Sequence, residues 1–111
     1  MDDYLYSAAM TYHIMTYVSL KLGGNADYSE MMSKLVPVMA GFGWTLTIGL
    51  QPMTGDFTKL IHVWEVSDFD DIRRGLEGCA TDPVALDILS EMPRLLHTEE
   101  LSIMVKTPYS P

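Results

Sequence analysis

At 111 residues the chain is long enough for one compact domain and too short for two, because domains cluster near roughly 100–150 residues. With 48% hydrophobic and 20% charged residues and a mean hydropathy of +0.10, it carries more apolar surface than an intrinsically disordered chain. Fifteen acidic against seven basic residues leave a net charge of −8, a field that repels phosphate backbones and anionic lipid heads and argues against nucleic-acid or membrane partners.

Met1 to Ala8 reads as an N-terminal tail, residues 9–106 as one domain, and Thr107 to Pro111 as a C-terminal tail. Met10 to Leu20 is dense in β-branched and aromatic residues, without charge, Gly or Pro, and predicts a first strand. Gly23-Gly24-Asn25 breaks it. Asp27 with Glu30 three residues on resembles a capping box, behind which Met31, Met32, Leu35, Val38 and Met39 recur at helical spacing to about Ala40. Pro37 inside this helix predicts a kink or an early end. Trp44 to Leu50 alternates large apolar with small polar residues, a second strand with one buried face. A Pro52-to-Asp56 turn, in which Asp56 reads as a turn residue, leads into Lys59 to Val66, the hairpin partner.

Ser67 predicts an N-cap, with Asp68, Asp70 and Asp71 in the first turn and an apolar stripe of Phe69, Ile72, Leu76 and Cys79. Thr81-Asp82-Pro83 restarts a helix, with Leu86, Leu89, Met92 and Leu96 facing inward, so the second helical region is split in two. Leu101 to Lys106 alternates again as strand four. The charge-free run Leu35 to Gly55 has the length of a membrane span, but its prolines and glycines fit a helix end followed by a strand better. One cysteine, Cys79, cannot form an internal disulfide, and the acidic start Met1-Asp2-Asp3 is unlike a secretory leader; together they predict a cytoplasmic protein.

The order β-α-β-β-α-β predicts an α+β, ferredoxin-like fold with a four-stranded antiparallel sheet and its first and third strands central. The first and third strands are apolar on both sides: His13, Met15 and Tyr17 oppose Tyr12, Ile14 and Val18, and Leu60, His62, Trp64 and Val66 oppose Ile61 and Val63. Helices cover one face only. A remaining patch of about a few hundred Å², at about 25 cal/mol per Å², amounts to several kcal/mol and predicts a homodimer packed sheet against sheet.

His62, on a central strand beside Trp64, is the leading candidate for a general acid or base, and His13 on the neighbouring strand its candidate partner. Tyr12, Tyr17, Trp44 and Trp64 are candidate walls for a flat hydrophobic ligand. Arg73 is a candidate anchor for a substrate carboxylate, although Asp70 stands one helical turn away. His97 reads as a surface residue. Three scattered histidines form no metal-ligand pattern, and neither a phosphate-binding Gly loop, a dinucleotide fingerprint nor a serine-nucleophile elbow is present, so no metal and no cofactor are expected.

Ile61-His-Val-Trp-Glu-Val66, the acidic helix start with Arg73 and Arg74, and Asp82-Pro83 resemble the NIPSNAP-type branch of the dimeric α+β barrel superfamily, from about Tyr12 to Val105. His13 with His62-Val-Trp-Glu-Val66 is also similar to the plant polyketide cyclase branch, which implies a pocket between sheet and helices. That branch has its general-base histidine near Asp82-Pro83-Val84-Ala85, where this chain has none, so its mechanism does not transfer. The resemblance implies a face-to-face dimer and two functions. One is a cofactor-free enzyme that moves protons on a hydrophobic, aromatic or polyketide-like molecule (a cyclase, dehydratase or isomerase), with a cofactor-free monooxygenase as a variant. The other is a non-catalytic NIPSNAP-like dimer that binds a small ligand or a protein partner.

Overall fold

Alternate residues of the first strand, β1 (Tyr12–Leu20), are buried from Tyr12 onward, as a strand with helices on one side requires. The structure, a computed structural model, describes residues 11–111. The predicted tail 1–8 and the start of the first strand at Met10 lie outside the described residues. After β1 come α1 (Asn25–Gly41), β2 (Thr45–Leu50), β3 (Lys59–Val66), α2 (Phe69–Thr81), α3 (Pro83–Leu89), α4 (Met92–Leu95) and β4 (Leu96–Met104). All strand pairs are antiparallel and the order across the sheet is β2-β3-β1-β4. This is the ferredoxin-like arrangement, and the two strands apolar on both faces are the two central ones.

Several local expectations are corrected. Helix α1 starts at Asn25 with Gly24 as N-cap and no side-chain cap, so Asp27 sits in the first turn, where its charge meets the helix dipole. The helix runs through Pro37 to Gly41. Pro37 and Ser33 both lie on the exposed side, where water can satisfy the carbonyl that proline leaves without a donor. Asp68, not Ser67, caps α2, its carboxylate accepting from the Asp70 N–H; Asp82 caps α3 through the N–H groups of Val84 and Ala85. The second helical region has three pieces rather than two. Strand β4 begins at Leu96, directly after α4, five residues before the expected Leu101.

The run Leu35 to Gly55 resolves into the end of α1, β2 and the following loop, and among the described residues no helix is long and apolar enough to cross a membrane. In β2 the expected single buried face is interrupted. The register shifts between Leu46, opposite Trp64, and Ile48, opposite Val63, so Thr47 is an extra residue, and its hydroxyl donates to the Val63 carbonyl at 3.0 Å. The bulge turns Ile48 and Leu50 onto the face away from the helices and places Gly49 opposite His62.

Two apolar clusters fill the space between sheet and helices. Ile14, Leu35, Met39, Trp44, Trp64 and Ile72 pack toward one end; Val18, Tyr28, Met31, Leu60 and Leu95 pack toward the other. The polar pair Thr16 and His62, opposite one another across β1 and β3, lies at the level between them.

Candidate functional site

A cavity of about 380 Å³ opens at that level, between the helical layer and the sheet. β3 contributes His62 and Trp64, β1 Thr16, α1 Tyr28, and β4 Leu101 and Glu99. Its walls are mainly aliphatic, aromatic and sulfur-bearing, the make-up of a site for an apolar small molecule.

His62 is buried, with 8% of its surface exposed, and its Nδ1 has no hydrogen-bond partner among the described residues. Burial pushes its pKa below the ordinary histidine value of 6.5, so the imidazole is neutral at physiological pH and offers one acceptor nitrogen. The ring of Tyr28 lies 6.0 Å away, centroid to centroid, tilted by 41°. Burial first, and then the charge of Glu99, push the Tyr28 hydroxyl well above the usual tyrosine range, so it stays a donor. Cys79 is likewise pushed up, by burial and then Glu99. Glu99 stands at the rim: it lines the cavity with Leu96 and Leu101 and is open to solvent on one side, and partial burial raises its pKa.

Trp44 and Trp64 close one end, with ring centres 6.0 Å apart and planes at 64°. The Trp44 indole N–H donates to the Asp71 carbonyl at 2.7 Å. That indole seats directly on Gly75 of α2, where a Cβ would lie 2.1 Å from its nitrogen; Gly78 makes the same room for Phe42. Trp44 can approach because Gly43, at φ +89°, turns the chain sharply out of α1.

The model of the NIPSNAP family matches residues 12–111. The chain belongs to the NIPSNAP family. Among solved structures it is similar to a NIPSNAP family protein of unknown function from Agrobacterium tumefaciens, with a TM-score of 0.80 and 20% identity over 93% of this chain and 94% of that one. An uncharacterized NIPSNAP-like domain protein from Burkholderia xenovorans gives a TM-score of 0.75 and 14% identity over 93% and 90%. SnoaB, a cofactor-independent oxygenase from Streptomyces nogalater, gives 0.71 and 16% over 92% and 100%. At such identities the likeness is one of fold. A comparison with curated proteins gave no match.

The site residues expected from sequence divide between the two faces of the NIPSNAP sheet. His62, Trp64 and Trp44 line the cavity. His13 does not join them: it opposes Glu65 across β1 and β3 and points to the face away from the helices, its Nδ1 3.7 Å from the Glu65 carboxylate. The expected pairing of His13 with His62 is therefore corrected, because odd and even positions of one strand face opposite ways. Tyr17, opposite Ile61, is on the His13 face as well and is no wall of this cavity. Tyr12 is buried in the core, edge-on to Phe69 with ring centres 5.3 Å apart. Arg73 is exposed on α2 and held by Asp70 at 2.9 Å and Glu77 at 2.8 Å, away from the cavity. His97 is exposed, and Asp56 accepts from the N–H and hydroxyl of Thr58, as a turn residue does.

Sequence reasoning missed Thr16, Tyr28, Gly49 and Glu99 as site residues of this NIPSNAP protein. Gly49 faces His62 from β2 and, with Ser29 and Gln51, lines a smaller recess of about 270 Å³ on the other side of the imidazole. Among the described residues no group of histidine, cysteine and carboxylate side chains could hold a metal ion.

Proposed function

We propose that this NIPSNAP protein is a homodimeric, cofactor-free enzyme that moves protons on a hydrophobic, aromatic or polyketide-like small molecule. The observation that carries the reading is His62, a buried imidazole kept neutral and facing an apolar cavity of about 380 Å³. A carbon acid flanked by two carbonyls needs one base and one donor to the enolate oxygen. His62 takes the proton from carbon, and Tyr28, whose ring centre lies 6.0 Å from that of the imidazole, donates a hydrogen bond from its hydroxyl to the oxygen on which charge develops. Trp44 and Trp64 hold the ring of the substrate. Cyclisation, dehydration and isomerisation can each start from that enolate.

The second subunit covers the face that carries His13. Met15, Tyr17, Ile48, Ile61, Val63 and Met104 gather there, while the described helices pack on the opposite side. Tyr17, Ile48 and Met104 are exposed in the single chain. A sheet-to-sheet contact removes that apolar surface from water.

Deuterium exchange at the central carbon of benzoylacetone, followed by NMR in heavy water, tests the reading. The wild-type protein is expected to accelerate exchange, and His62→Gln to return it to the buffer rate with the fold retained. Exchange at the buffer rate in the wild type leaves the non-catalytic, ligand-binding NIPSNAP dimer. The likeness in fold to SnoaB favours oxygenation of an electron-rich phenol in the same cavity as a second reading, which dioxygen uptake by added phenols distinguishes.

A further inference from the structure

The charges around the cavity are one-sided. Among the described residues that line it there is no lysine and no arginine. His62, Tyr28 and Cys79 are each held in their neutral forms by burial. Glu99 is the remaining titratable group, placed at the mouth by β4, and among the described residues no cation pairs with it. The ion pairs of Lys34, Arg73, Arg74 and Arg94 are made elsewhere, on helix surfaces.

A carboxylate entering such a space loses its water, meets no counter-charge, and passes a like charge on the way in, within a protein of net charge −8. An ammonium group halted at the mouth keeps part of its hydration and gains the field of Glu99 and of the aromatic faces behind it. We propose that the cavity selects its ligand by charge, admitting neutral and cationic aromatic molecules and turning away their anionic analogues, with Glu99 as the specificity-determining residue. This rests on the reading of the cavity as the ligand site. It narrows the substrate class: the ring system arrives free, not as an aromatic acid, a phosphate ester or a coenzyme A thioester, each of which brings negative charge to the mouth. A phenol or polyketide enters in its neutral form and gives up its proton only inside, to His62.

Three probes with one ring and different charge test the proposal: naphthylmethylamine, naphthylmethanol and naphthoate, titrated by calorimetry at low salt and neutral pH. The amine is expected to bind tightest and the carboxylate weakest, with about a tenfold interval at each step. In Glu99→Gln the amine falls to the affinity of the alcohol, and in Glu99→Lys the naphthoate overtakes the amine. Naphthoate binding as tightly as the alcohol in the wild type overturns the charge selection and leaves the cavity reading in place, as does an amine preference that survives in both variants. Failure of all three probes to bind overturns both.

Discussion

Gly49 and His62 stand directly opposite one another on β2 and β3, and a Cβ built on Gly49 would lie 3.4 Å from Cδ2 of the imidazole. The bulge at Thr47 produces this relationship. Without the extra residue, Ile48 rather than Gly49 would face the imidazole. The Gly49 site accepts one methyl group at ordinary contact distance, and glycine in a strand interior gives up backbone entropy on folding. Gly49→Ala is therefore expected to stabilise the protein by up to about 1 kcal/mol, and Gly49→Phe to destabilise it by displacing the ring. Urea denaturation of both variants checks the pair; an alanine variant clearly less stable than wild type contradicts the geometry.

Gly75 has no such tolerance. Its Cβ would overlap the Trp44 indole nitrogen at 2.1 Å, within helical backbone that cannot move away freely. Gly75→Ala is expected to break the Trp44 bond to the Asp71 carbonyl and to cost about 1–3 kcal/mol. Tryptophan emission should shift to the red as the indole leaves its seat. An unchanged spectrum and an unchanged melting temperature contradict this packing.

The architecture was legible because it rests on strand faces. β1 and β3 are apolar on both sides, and that alone places them in the middle of the sheet with an open face behind. The site was legible only where it sits on those strands. Placing His13 with His62 required a register that spacing does not supply, and one residue of offset in direction puts them on opposite faces. Glu99 was lost because Leu96 to Glu100 carries a histidine and two glutamates, residues that do not favour a strand, and β4 follows α4 without a turn to announce it. Tyr28 precedes the regular Met31–Leu35–Met39 stripe by one turn. Its role comes from facing His62 across the layers, which no local pattern records.

The titration of His62 sets a pH dependence of stability. Its folded pKa lies below the 6.5 of the free side chain, so as pH falls the unfolded chain takes up this proton before the folded one does. The stability contribution is complete above about pH 6.5 and is lost as pH falls from there toward the lowered folded value. Between about pH 7 and about pH 5 the melting temperature of the wild type is expected to drop further than that of His62→Gln. Parallel profiles for the two proteins contradict a desolvated imidazole.

The proposed dimer predicts a clean response at Val63, which is half-buried on the face away from the helices, beside Ile48 and Met15. Val63→Asp puts a charge in the middle of the proposed contact, at a cost of several kcal/mol of association. Sedimentation should show two subunits for the wild type at micromolar concentration and one for the variant. A wild type that sediments as a single subunit contradicts the interface.

The three histidines allow the most direct test of the ligand site, because His62 faces the cavity, His13 faces the opposite side of the sheet and His97 is exposed. The measurement is the NMR spectrum of the protein labelled with nitrogen-15 in its histidine rings, titrated with naphthylmethanol. The ring nitrogens of His62 are expected to shift while those of His13 and His97 hold still. A shift at His13 with His62 unmoved, or no shift at any of the three, would contradict the cavity as the place where this protein meets its ligand.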